Sequence, residues 1–195
     1  MPKHITIIQG HPDPDNSHYC HALAEAYREG AEAGRHPIRI IRVAGLDFPL
    51  LKNKDDWKTK APPPCIRQAQ EDIAWAEHLL IIYPLWLGTM PAVLKGFLEQ
   101  ALRPEFAVSE LKEEITWEKR LGGRSARIVV TMGMPALVYR WYFGAHSLKS
   151  LERNILKFCG IGPVSESIIG MIEQKDDSRR KKWLERMKKL GKEGK

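Results

Sequence analysis

LLIIYPLWLGTMPAVLKGFLE, residues 79 to 99, runs an apolar strand into a Pro-aromatic-Gly turn and then into a helix that carries one lysine. In an open parallel sheet, ligands sit outside the carboxyl ends of the strands, where backbone amides are free and loops can change without disturbing the core. Leu79 to Tyr83 reads as such a strand, ended by Pro84, and Pro91 stands where a helix begins. The turn is expected to expose Trp86 beside an apolar wall of Leu85, Leu87 and Met90. A flat aromatic ligand needs a slot of this kind, with backbone N–H and C=O groups at the ring edge and apolar side chains over its face.

Outward from that junction the chain alternates strand and helix patterns, which argues for a parallel sheet covered by helices on both sides. Strands are expected over residues 4–9, 38–43, 79–83 and 126–131, with a fifth inside 164–169. Helices are expected over about Ser17 to Ala33, Ile66 to Ala76, the segment after Pro91, and His146 to Cys159. A basic helix over about residues 175–192 closes the chain, with Trp183, Met187 and Leu190 at helical spacing. The connection PLLKNKDDWKTKAPPPC and the loop MGMPALVYRWYFG read as irregular. Right-handed crossovers leave few assemblies of five such units, and the flavodoxin-like order 2-1-3-4-5 is the simplest. That order brings the loops after strands one, three and four to one edge of the sheet.

The 195 residues are expected to form one domain, since 28% charged and 43% hydrophobic residues are ordinary for a globular chain. No apolar run approaches the roughly 18 to 20 residues of a membrane span, and MPKHITIIQG lacks a secretory h-region, so the expectation is a cytoplasmic protein without membrane insertion. Cys20, Cys65 and Cys159 are widely spaced and outside any CxxC pattern, so they are expected to stay reduced, and no metal site is visible. The net charge of +7 is local: residues 175–195 hold ten basic and four acidic residues, leaving 21 basic and 20 acidic elsewhere. A nearly neutral body with one basic helix does not describe a nucleic-acid-binding protein.

The first loop, GHPDPDNSHY, places His11, Asn16, Ser17 and His18 just before a helix, whose N-terminal amides and dipole suit a phosphate group. GxGxxG, Walker and GxSxG patterns are absent, so the cradle is one of side chains and amides for a terminal phosphate or a pyrophosphate. The loop after the fourth strand carries Tyr139, Trp141, Tyr142 and Phe143, a density that marks a stacking site or a protein interface. Tyr139 is placed to donate to a reducible carbonyl and His146 to exchange a proton.

Together these loops resemble those of the NAD(P)H:quinone oxidoreductase family, flavodoxin-fold flavoproteins described as DT-diaphorase-like. GHPDPDNS, YPLWLGTMPAVLKGFLE, TMG with the downstream Tyr139 and GAH, and LKFCGIGPV carry the resemblance across nearly the whole chain. The resemblance implies a bound FAD, with FMN as the alternative, reduced by NAD(P)H and reoxidised by a quinone or similar small acceptor. It also implies a homodimer with its active site at the interface. Carried over by residue, His11, Ser17, His18 and Tyr19 match the phosphate side, and Pro84, Leu85, Trp86 and Leu87 match the turn lining the ring. Thr131, Met132 and Gly133 match the turn at the ring's polar edge, while Tyr139 and His146, with Gly133, match the positions that stabilise charge during hydride transfer. The chain departs from the pattern in four places: an extra residue between His11 and Ser17, Gly88 where many members carry an aromatic, Met132 and Met134 in place of Thr and Gly, and a His146 one residue late. LGTMP also resembles the NGSxP turn of NADPH-dependent FMN and azo-compound reductases. A flavin-binding regulatory partner of a potassium-efflux system is a further, non-catalytic alternative.

Overall fold

The aliphatic runs at residues 5–9, 78–84 and 125–131 are buried almost throughout, as central strands of a parallel sheet must be when helices cover both faces. The computed structural model describes residues 1–110, 117–173 and 177–195. Its main sheet comprises β1 (Ile5–Gln9), β2 (Ile38–Arg42), β3 (His78–Pro84), β6 (Ser125–Thr131) and β7 (Val164–Ile169). All are parallel, in the order β2-β1-β3-β6-β7. Numbered among the sheet's own five strands, this is the 2-1-3-4-5 order expected from sequence. Register pairs Gln9 with Ile82, Pro84 with Thr131, and Thr131 with Ile169, so the strands end together along one edge.

Two apolar layers hold the helices on. One face carries α1 (Tyr19–Ala33) and α7 (Asp177–Glu193), packed on Ile5, Ile7, Leu80, Ile82 and Val129. The other carries α3 (Pro64–Trp75) and α4 (Ala92–Ala101), with α6 (His146–Lys149), which continues as a π-helical segment over Ser150–Leu156. α7 is docked closely on α1: a Cβ on Gly30 would lie 1.9 Å from the Lys188 carbonyl oxygen, and one on Gly191 2.0 Å from that of Tyr27. Met187 is fully buried there, and Lys188 pairs with Glu29 at 3.0 Å on the rim. The expected start of this helix at about residue 175 lies outside the described residues.

Three segments differ from the expectation. The Lys-rich connection contains α2 (Lys54–Lys58), started by the Asn53 side chain, which accepts from the Asp56 N–H at 2.8 Å. The triple proline is the start of α3, with Pro64 in the first turn where a missing N–H costs nothing. The loop after β6 is helical over Ala136–Trp141 (α5), and after α4 the short strands β4 (Val108–Glu110) and β5 (Trp117–Lys119) pair antiparallel.

Candidate active site

The loops after β1, β3 and β6 meet. Leu85 N–H donates to the Thr131 carbonyl at 2.7 Å, Gly10 N–H to Ile82 at 2.8 Å, and the His11 ring stands edge-on to Trp86 at 6.2 Å. This is the edge where strand order reverses, with β1 and β3 side by side.

The β3 loop is a tight turn closed by Trp86 N–H to Thr89 O at 2.8 Å and by Thr89 N–H to Trp86 O at 3.0 Å. Leu87 and Gly88 take φ of 47° and 80°, the doubly left-handed geometry of a two-residue hairpin turn, which glycine accepts and leucine resists. Trp86 is half exposed. The expected wall is split: Met90 is buried and Leu85 partly so, while Leu87 stands fully exposed at the apex because the turn points it outward. Pro84 is buried at the strand end.

Beside the turn lies a cavity of about 410 Å³ bounded by Trp86, Leu87, Thr89, Met90, Lys95, Ser147 of α6, and Ser150 and Ile155 of its π-helical continuation. Its volume lies within the range of small-molecule sites. Thr89 and Ser147 share a hydrogen bond at 3.2 Å across its wall. The lysine of this helix, Lys95, was noted from sequence, but Thr89, Ser147 and Ser150 were not singled out, because single hydroxyls carry no pattern; only the tertiary approach of α6 and its continuation brings them together.

Around His11 the structure is more specific than the sequence. Asp13 gathers three imidazoles: its N–H donates to His11 Nδ1 at 3.1 Å, its carboxylate accepts from His18 Nε2 at 3.0 Å, and its carbonyl accepts from His21 Nε2 at 2.9 Å. His11 and His18 stack at 4.2 Å, and His21 tilts against His11 at 5.1 Å. Burial, joined by His18 and His21, lowers the His11 pKa against the opposing pull of Asp13. Ser17 does not cap α1: its hydroxyl and N–H both bond Asp15, and His18 occupies the cap position without a side-chain bond. Tyr19 faces away, its hydroxyl donating to Arg180 O at 2.9 Å under the Arg180 guanidinium. His21 was missed from sequence, although its place three residues after His18 on the same helical face was the signal that could have found it.

The β6 loop places the remaining residues. Thr131 is buried with its hydroxyl 3.1 Å from Cys20 Sγ, and Met132 is buried with its N–H on Ile169 O. Gly133 is exposed, and the Glu173 carboxylate lies over it: a Cβ there would meet Oε1 at 3.1 Å. Tyr139 is only 1% exposed, and its hydroxyl accepts from Leu148 N–H at 3.3 Å, so in this structure it braces the start of α6. His146 is exposed, its ring against Gly144. Cys20 and Cys159 are buried, which pushes their thiols up to about 12 and about 11 and removes them as nucleophiles at neutral pH. Among the described residues no three His, Cys, Asp or Glu side chains are arranged to hold a metal ion, and no helix is long and apolar enough to cross a membrane.

An open parallel sheet in the order β2-β1-β3-β6-β7, with its loops gathered at the switch point, defines a doubly wound α/β protein. Residues 3–190 match the family model described as flavodoxin-like fold. A protein of Haemophilus influenzae named "Uncharacterized NAD(P)H oxidoreductase" is 30% identical over 183 residues, covering 92% of this chain and 89% of that protein. The solved NAD(P)H:quinone oxidoreductase from Methanothermobacter marburgensis superposes with a TM-score of 0.81 at 22% identity, over 100% of both chains. The FMN-dependent NADH-azoreductase of Bacillus anthracis, solved in complex with FMN, superposes with a TM-score of 0.78 at 15% identity, over 99% of each chain. The chain therefore belongs to the flavodoxin-like family, in its branch of NAD(P)H oxidoreductases.

Proposed function

We propose that the protein is a flavin-dependent NAD(P)H dehydrogenase that passes two electrons to a quinone or a similar small acceptor. The observation that carries this reading is the cavity between Trp86 and the Thr89–Ser147 pair, whose Trp86 wall stands 6.2 Å from the ring of His11. A bound flavin would supply the redox chemistry, taking hydride from a reduced nicotinamide and giving two electrons to the acceptor. The residues present fit it once two side chains move: Leu85 and Trp86 would flank the ring, Gly133 would meet its edge with the Glu173 carboxylate turned aside, and His11 and His18 would hold the phosphate side, joined by Ser17 on release from Asp15. The chain's own work is to position and to keep water out, a large share of what an enzyme adds to hydride transfer. Thr89 and Ser147 offer hydroxyls to an acceptor carbonyl from the cavity wall, and Lys95, ion-paired with Glu99, borders the same wall. Tyr139 acts by holding the Leu148 N–H and hence the approach of Ser147; His146, at the exposed start of α6, would exchange protons with solvent.

The B. anthracis neighbour, solved with FMN, favours FMN over FAD and keeps an azo-compound reductase as the second reading. Trp141 at the end of α5 and Tyr142 just after it are about four-fifths exposed beside the half-exposed Phe143. Apolar rings at that density beside the site support a homodimer joined there. The test is the absorbance spectrum of the purified protein with chromatography of its released cofactor, followed by NAD(P)H oxidation with a small quinone and with an azo dye. Bound flavin with quinone turnover is expected; a protein that refuses added flavin overturns the reading, and preference for the dye selects the second one.

A further inference from the structure

Lys95 and Ile155 border two cavities at once. On one side lies the cavity beside the Trp86 turn, and on the other a groove of about 470 Å³ between α2, α4 and the π-helical segment. α4 carries one wall from the first to the second: Lys95, Leu98 and Leu102 follow at helical spacing along about 10 Å of its axis. The other wall is Ser150–Leu156, where the wider π turn puts Ser150 and Ile155, five residues apart, on the first cavity, and Ile155 also fronts the groove. The two compartments differ in chemistry. Thr89, Ser147 and Ser150 give the first its hydroxyls, whereas Leu51, Leu98, Leu102 and Val108 line the groove with the rings of Trp57 and Phe158. The groove's polar neighbours are already engaged by the protein: Lys95 pairs with Glu99, and the Asn53 side chain caps α2. Among the described residues, none of the buried polar atoms left without a partner borders it. Phe158 is nonetheless 42% exposed, apolar surface of the kind a ligand covers.

Resting on the flavin reading above, we propose that the groove takes the apolar substituent of the acceptor, so that the preferred substrates are quinones bearing an alkyl or prenyl chain rather than bare rings. The quinone head lies against the Thr89 and Ser147 hydroxyls, and its chain passes between Ile155 and the aliphatic stem of Lys95, whose ammonium is drawn to Glu99. The shared walls select this occupant: a polar compartment that continues into an apolar one suits a molecule with a polar head and an apolar chain. The head reacts and the chain only binds. A remote group bound equally in the ground and transition states lowers KM and leaves kcat alone. Each methylene fully buried is worth about fourfold in affinity.

Steady-state NAD(P)H oxidation by the flavin-loaded protein reads the chain directly, with a dimethoxy-methyl-benzoquinone carrying hydrogen, pentyl or decyl at its free ring position. KM is expected to fall about tenfold or more from the bare to the decyl quinone while kcat changes less than about twofold. Phe158→Ser and Trp57→Ser are each expected to shrink that KM ratio about threefold or more. Neither ring is fully buried, so one variant tests the idea even if the other does not fold. Equal KM for the three quinones overturns the proposal, as does a chain-length gain that both variants leave untouched. Equal KM together with loss of a dimer in Phe158→Ser, seen by light scattering, would assign the groove to a second copy of the chain instead. Quenching of tryptophan fluorescence by the same quinones in the cofactor-free protein separates the groove from the flavin. Quenching that tightens with chain length in a protein that refuses flavin keeps the groove and removes the flavin; turnover of all three quinones at equal KM does the reverse.

Discussion

Tyr139 shows how one side chain joins packing to chemistry. Its ring fills the core under the β6 loop and its hydroxyl takes the Leu148 N–H, beside the Ser147 that forms the cavity wall. Burial raises its pKa, so the hydroxyl stays protonated across the working range. Tyr139→Phe leaves that amide unpaired, a cost of about 1 to 3 kcal/mol in stability. Stopped-flow reduction by NAD(P)H is expected to slow about tenfold or more while the flavin dissociation constant changes less than threefold, since positioning acts on the reaction rather than on the resting complex. Equal reduction rates in the two proteins would take Tyr139 out of the mechanism. The sequence marked this residue through the spacing of TMG and GAH, yet its direction was hidden: the same letters describe an exposed donor or a buried brace, and α5 decides between them.

At the scale of elements, what was legible is what has a period. The strands expected over 4–9, 79–83 and 126–131 are rich in aliphatic residues, α1 and α7 repeat their apolar residues at helical spacing, and the sheet order followed from right-handed crossovers. What was missed has no period. α2 and α5 are five and six residues long, below the length at which a stripe can be read, and the π-helical Ser150–Leu156 keeps a helical sequence while changing its hydrogen bonds. The docking of α7 was half legible: Met187 announced a buried stripe, but the close approach of the two backbones at Gly30 and Gly191 is visible only in the fold. Gly191→Val should therefore force the helices apart and destabilise the protein by about 3 kcal/mol, above the usual cost of overpacking a flexible site because the obstacle is backbone. Urea unfolding measures it; a midpoint within error of the parent would mean that the contact is not tight in solution.

For the whole molecule, charge and association set the conditions under which it works. The basic excess of residues 175–195 lies partly on a docked helix whose Met187 is core, so removing the segment to test polyanion binding would also uncover α1. If the α5 aromatics join two copies, Trp141→Glu with Tyr142→Glu should halve the mass seen by light scattering, since like charges would meet across a two-fold axis; an unchanged dimer would place the interface elsewhere. Acid stability turns on His78, which begins β3 nearly fully buried with Nδ1 on Ser125 Oγ at 2.8 Å and Nε2 unpartnered. Burial, then Lys3 and Arg127, lowers its pKa from 6.5 to about 4. The folded ring thus stays neutral where the unfolded chain's ring is protonated. Between pH 6.5 and about 4 the unfolded state binds the extra proton, so stability falls as pH drops through that window and the loss levels off below it. The full difference is at most about 3 kcal/mol. His11, lowered in the same direction, adds to the loss. His78→Gln keeps a side-chain partner for Ser125 but cannot titrate, so its urea midpoint should fall less steeply from pH 7 to 4.5 than the parent's. Parallel slopes would assign the acid sensitivity to groups other than the β3 histidine.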